Sequence, residues 1–127
     1  MRYFIILAAL SLAACVEEPI DGRTAYMENC ASCHGPSGMG DGPAARGLAV
    51  APPDLTMIAS RNGGVFPTNQ VMSTIDGLDR GTHFSAAMPE FGAGDLGETV
   101  IVENAGLGTP VPMKLLVLTE YLQSIQQ

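Results

Sequence analysis

Cys30, Cys33 and His34 form the stretch of this sequence whose residue types and spacing point most directly to chemistry: "CASCHG", residues 30–35. A cysteine pair with two residues between has three common uses. As a redox dithiol it follows a strand of a βαβ unit, and this chain has little strand pattern. As part of a zinc site it needs further ligands at suitable spacing; the one other histidine is His83, and Cys15 is expected to be taken up by a lipid. The third use accounts for the adjacent histidine. Two thiols add across the two vinyl groups of a haem, the intervening residues let both sulfurs reach one edge of the porphyrin, and the next residue sends its imidazole to the iron. The motif predicts one covalently attached haem c, held through Cys30 and Cys33, with His34 as an axial metal ligand.

The other axial position needs a second donor. Beyond Met1 the methionines are Met27, Met39, Met57, Met72, Met88 and Met113. Met27 falls in an expected helix, and Met72 and Met113 lie on or near later ones, where methionine usually fills a core. Met39 lies in a very glycine-rich loop. Met88 stands in "AMPEFG", where Pro89 stiffens a loop and no helix competes for the side chain. Met88 is the expected second metal ligand, and His83 is its rival.

The elements that must position these residues follow from local signals. Asp21 can cap a helix running through Ala25 and Tyr26 to Cys30. Residues 35–53, "GPSGMGDGPAARGLAVAPP", read as a loop with at most one helical turn, at residues 44–47. So long a connection usually wraps a ligand or a site. A short helix is expected over residues 54–61, stopped by Asn62-Gly63-Gly64, and another from a Thr68 cap through Val71, Met72 and Ile75 to Gly77. Alternating β-branched residues around a glycine-rich turn near 99–110 predict a short strand or hairpin. Val111, Leu115, Leu118, Leu122 and Ile125 lie on one face of a terminal helix, with Thr109, Pro110 and Pro112 at its start.

With these elements in place the sequence resembles the class I c-type cytochromes over most of its length. The resemblance implies an all-α small cytochrome c fold, in which the N- and C-terminal helices cross and loops wrap one haem. Gly22 and Tyr26 stand where the family has a close-approach glycine and an aromatic on the first helix. "LTEYL" supplies Leu118, Tyr121 and Leu122 for the partner face. "PPDL" resembles the element whose proline carbonyl accepts the ligand histidine's ring N–H, which implies that role for Pro53 and haem packing for Leu55. "MPEF" resembles the family's methionine-ligand loop, carried over to Met88. The stretch between Met88 and Tyr121 is far longer than in the common form of the family, and residues 97–110 look like an insertion. Leu48, Leu55, Ile58, Val71, Ile75 and Phe91 are candidate pocket residues. Arg46, Arg61 and Arg80 are candidate partners of the haem propionates.

The third cysteine has a different setting. Met1-Arg2 is a short basic start, followed by an apolar run from Tyr3 to Val16. That run is shorter than the roughly 20 residues a helix needs to span a bilayer, and it reads as an export signal. "LAAC", ending at Cys15, resembles the bacterial lipobox, whose cysteine is acylated after cleavage. The expected organisation is a lipoprotein signal over 1–14, a tether over 15–20 and a cytochrome c domain over 21–127. The expected place is periplasmic, lipid-anchored to a bacterial membrane.

The 127 residues carry a formal net charge of −7, which excludes ordinary nucleic-acid binding and favours redox proteins with a basic docking patch. No small-molecule substrate is expected. The function that follows is single-electron transfer between membrane or periplasmic partners, without enzymatic activity of its own. The alternatives are a haem-based ligand-binding or sensor module and the haem subunit of a larger oxidoreductase.

Overall fold

The computed structural model describes residues 19–79, 81, 87–94, 96–104 and 106–127. The expected signal over 1–14, Cys15, Arg80 and His83 lie outside the described residues. Helix α1 (Gly22–Asn29) begins where Asp21 accepts the Thr24 N–H at 2.8 Å and the Thr24 hydroxyl at 2.9 Å. These two bonds hold the Asp21 carboxyl below its ordinary range. The chain kinks at Cys30 and continues as α2 (Ala31–His34). A 3-10 turn at Pro43–Gly47 interrupts the glycine-rich loop. A second 3-10 turn, Leu55–Met57, runs into α3 (Ile58–Arg61), ahead of α4 (Thr68–Asp76). A third turn at Phe91–Ala93 precedes strands β1 (Thr99–Asn104) and β2 (Leu107–Pro112). Helix α5 (Met113–Ser124) ends the fold.

The architecture is that of a small helical protein carrying one two-stranded antiparallel sheet. The core lies where α1, α4 and α5 meet. Ala25 and Tyr26 come from α1, Val71 and Ile75 from α4, and Leu115, Leu118 and Leu122 from α5, all buried. The crossing of α1 and α5 is close because Gly22 has no side chain. A Cβ built there would overlap the Val117 carbonyl oxygen and lie 3.0 Å from the Cβ of Tyr121. Tyr26 and Tyr121 fill the crossing with ring centroids 5.2 Å apart, tilted by 45°. The buried Tyr26 hydroxyl donates to the Gly35 carbonyl at 2.7 Å, which satisfies its polar end. Thr119, also buried, donates to Leu115 O at 2.9 Å within α5.

Two element boundaries differ from expectation. Thr68 is the first residue of α4 rather than its cap; Pro67 takes the cap position and contributes no side-chain bond. Thr109, Pro110, Val111 and Pro112 belong to β2, not to the start of the last helix. Val111 is still buried, but on the sheet, because strand alternation and helix period both turn it toward the core. The hairpin is complete. Its register pairs Val100 with Val111 and Val102 with Thr109, and the half-buried Val102 packs on the core. Alternate residues, among them Ile101, face outward. No helix among the described residues is long and apolar enough to cross a membrane.

Candidate haem site

Each functional side chain is fixed by backbone bonds that its own neighbours supply. The Cys30 N–H donates to Tyr26 O at 2.8 Å, closing α1. The Cys30 carbonyl accepts the Cys33 N–H at 3.2 Å and the His34 N–H at 2.9 Å. The loop after the motif then folds back over it. Gly40 N donates to His34 O at 2.8 Å, Gly42 N to Cys33 O at 3.1 Å, and Leu55 N to Gly38 O at 2.7 Å. Gly42 lies so close that a Cβ there would sit 2.7 Å from the Cys33 carbonyl carbon. The long glycine-rich loop is therefore packed against the motif, and small residues are what let it approach.

The loop delivers Pro53 to His34. The His34 Nδ1 lies 3.4 Å from the Pro53 carbonyl oxygen. A carbonyl can only accept, so the proton belongs on Nδ1 and the lone pair on Nε2. Burial lowers the His34 pKa by disfavouring the imidazolium, partly offset by the Pro53 bond. Burial thus favours the neutral ring, which can ligate through Nε2. Next to Pro53, the Asp54 carboxylate accepts from the Thr56 hydroxyl at 2.6 Å and the Thr56 N–H at 2.8 Å. The Arg61 guanidinium donates to Asp54 O at 2.8 Å. Arg61, a candidate propionate partner, therefore braces the turn that carries Pro53 and Leu55. Arg46 is exposed on the 3-10 turn of the preceding loop.

Both thiols are free and half-buried. Burial, then the neighbouring Cys33 charge, pushes the Cys30 thiol up to about 11, against a lowering pull from Lys114. Leu55, Ile58, Phe91 and Met88 are half-buried and pack on the same hydrophobic cluster that Cys30 joins. Leu48 is half-buried in the loop, while Val71 and Ile75 are buried in the core itself. The fold thus gathers Cys30, Leu55, Met88 and Phe91 about one apolar cluster, and sets His34 against Pro53. Two reduced thiols, a neutral imidazole with its Nε2 available and an apolar surround suit a covalently held haem with histidine ligation. Among the described residues, no three His, Cys, Asp or Glu side chains are grouped to hold a metal ion by themselves. The two clefts between α4 and the hairpin, of about 440 and 310 Å³, are lined by residues such as Met72 and Val102 and touch none of the motif residues.

Two contributors escaped the sequence reading. Gln126 accepts the Ala59 N–H at 2.8 Å and donates to Leu55 O at 2.8 Å and Leu122 O at 2.6 Å, so it ties the Pro53–Leu55 turn to the end of α5. Lys114 places its Nζ 5.5 Å from the centroid of Phe91. No sequence pattern marks either, since the partners that matter, Ala59 and Leu55 for Gln126 and Phe91 for Lys114, are distant along the chain.

The family model for Cytochrome c matches residues 20–97. No curated protein and no solved structure matches the chain significantly. The match covers more than half of the sequence, and the chain belongs to the cytochrome c family. The family binds covalently attached haem c and serves in electron transfer, and Cys30 and Cys33 have the spacing that attachment requires.

Proposed function

We propose that this cytochrome c carries one haem and passes single electrons between redox proteins at a bacterial membrane, with His34 and Met88 as axial ligands. The observation that supports it most is the His34 ring held at Pro53 O, directly after two free cysteines. The haem supplies a one-electron couple at its iron. The chain does the rest. Cys30 and Cys33 anchor the porphyrin at one edge. Pro53 O fixes the His34 tautomer and ring plane and raises the basicity of Nε2. The Met88 thioether would favour ferrous iron over what two histidines would give. The apolar side chains of Leu55, Ile58 and Phe91 exclude water and favour the lower-charge state. With His34 and Met88 both holding the iron, no position would be left for an external molecule, which supports a carrier over a sensor or a peroxidase-like enzyme.

The net charge of −7 favours partners with a basic patch, attracted over a Debye length of about 8 Å at physiological salt. Acylation at Cys15 would hold the protein on the membrane and raise its concentration beside such partners. The carrier reading is tested on the haem-loaded protein by redox titration with and without carbon monoxide. It expects a single one-electron wave that carbon monoxide does not shift. A large shift, with a new Soret band on the reduced form, would favour a ligand-binding module. The anchor is tested by fractionating cells that express Cys15→Ser, which should move the protein from the membrane to the soluble fraction; retention on the membrane would remove acylation from the account.

A further inference from the structure

We propose that Lys114 tunes and steadies the haem centre: its ammonium, seated over the Phe91 ring on the cluster that Cys30 joins, biases the iron toward the ferrous state and fastens the Met88–Phe91 loop to α5. The inference rests on the His34/Met88 reading above for its second half. Its first half needs only haem at Cys30.

Three observations converge on this side chain. Lys114 is the chain's single lysine, and it stands second in α5. A cation is disfavoured at a helix N-terminus, where the macrodipole is positive, so the helix itself gives no reason for lysine there. Its Nζ lies 5.5 Å from the Phe91 centroid, within the range at which a ring face attracts an ammonium. Phe91 opens the turn just after Met88, so this contact joins α5 to the loop that presents the thioether. Phe91 in turn packs on the hydrophobic cluster that Cys30 joins, so the ammonium sits against the same cluster as the Cys30 sulfur. Once that sulfur is a thioether, the same positive charge acts on what is attached to it.

The physical consequence follows from charge alone. Reduction adds one electron to the centre, and a fixed cation held in a half-buried, weakly screening place stabilises the reduced form over the oxidised one. The aromatic platform matters because it fixes where the charge sits. A flexible solvated lysine would have its field screened away.

The test uses the full-length, haem-loaded protein and three forms: unsubstituted, Lys114→Met and Lys114→Arg. Each is equilibrated with a one-electron mediator of fixed potential. In Lys114→Met the ratio of reduced to oxidised haem should fall about tenfold, equivalent to about 59 mV for one electron. Lys114→Arg, which keeps the charge and the ring contact, should stay within about twofold of the unsubstituted protein. The near-infrared sulfur-to-iron band, followed on heating, should vanish at a lower temperature in Lys114→Met than in Lys114→Arg. Equal ratios in all three forms would overturn the charge role. Equal loss of the band on heating in all three would overturn the fastening role. If Lys114→Met does not mature, Lys114→Gln serves in its place. If the unsubstituted protein lacks the near-infrared band, the Met88 reading fails and takes the fastening role with it, while the mediator ratios still decide the charge role.

Discussion

Replacing Gly22 with alanine should damage the fold by adding one methyl group. A Cβ at this position would lie 2.9 Å from the Val117 carbonyl carbon and 3.0 Å from the Tyr121 Cβ, and would overlap the Val117 carbonyl oxygen. Carbon atoms in good contact sit about 3.5–4.0 Å apart, so α1 must retreat from α5 by roughly 0.5–1 Å. The Val117 group is backbone, inside a helix, and cannot swing aside. Retreat loosens the Tyr26–Tyr121 contact, now at 5.2 Å, which is the kind of aromatic pair worth about 0.5–1.5 kcal/mol. It also opens the packing around Leu118 and Leu122. Overpacking of this sort costs about 1–3 kcal/mol, against a helix-propensity gain of at most ~1 kcal/mol for alanine. With the weakened aromatic contact counted, a net loss of about 1–3 kcal/mol corresponds to a fall in Tm of roughly 5–15 °C for a domain of this size. The assay is thermal unfolding of the haem-loaded protein by far-ultraviolet circular dichroism. Gly47→Ala is the control, because a Cβ at Gly47 meets no atom within 4 Å. Equal Tm values for the two variants would refute the argument that the crossing depends on a bare Cα at Gly22.

Other perturbations have equally definite outcomes. Tyr26→Phe leaves the ring but removes the hydroxyl that donates to Gly35 O at 2.7 Å; chemical denaturation should show a loss of about 1–3 kcal/mol, because a buried carbonyl loses its partner. Gln126→Ala removes the bonds to Ala59 N, Leu55 O and Leu122 O, and should cost about 1–3 kcal/mol in the same assay. By releasing the turn that carries Pro53, it should also broaden the electron paramagnetic resonance signal of the oxidised haem. The Asp54 carboxyl is held below its ordinary 3.8 first by the Thr56 hydroxyl and then by the Thr56 N–H. A depressed folded-state value means the contribution is present above pH 3.8 and is lost as pH falls through the lower folded value. Asp54→Asn should therefore lower stability at neutral pH, change it little below the folded value, and so flatten the acid limb of the stability curve.

Much of this molecule is legible in its sequence where the signal is local. The CASCHG motif needs no tertiary information to be read. Asp21 caps α1 through Thr24, three residues on, and such short-range bonds are written in residue order. The period of Leu115, Leu118 and Leu122 marks the buried face of α5, and the alternation of Val100 and Val102 marks the inward face of the hairpin. Gly22 and Tyr26 were legible only through the family resemblance, since the partner atoms lie on the last helix. The misplaced boundaries have a common cause. Pro67 and Thr68 both suit a helix start, as do Thr109 and Pro112, and the choice was settled by what the neighbouring strand and core required. Gln126 and Lys114 were illegible because their partners, Leu55, Ala59 and Phe91, are brought to them by the fold alone.

The most direct test of the account is the absorption spectrum of the haem-loaded protein, oxidised and reduced, extended into the near infrared and repeated on Met88→Ala. The account predicts a c-type reduced spectrum, a sulfur-to-iron band in the oxidised form, and loss of that band in Met88→Ala. A band that survives the substitution would assign the thioether to another methionine. A covalent haem without the band in the unsubstituted protein would contradict methionine ligation altogether, and with it the proposed carrier.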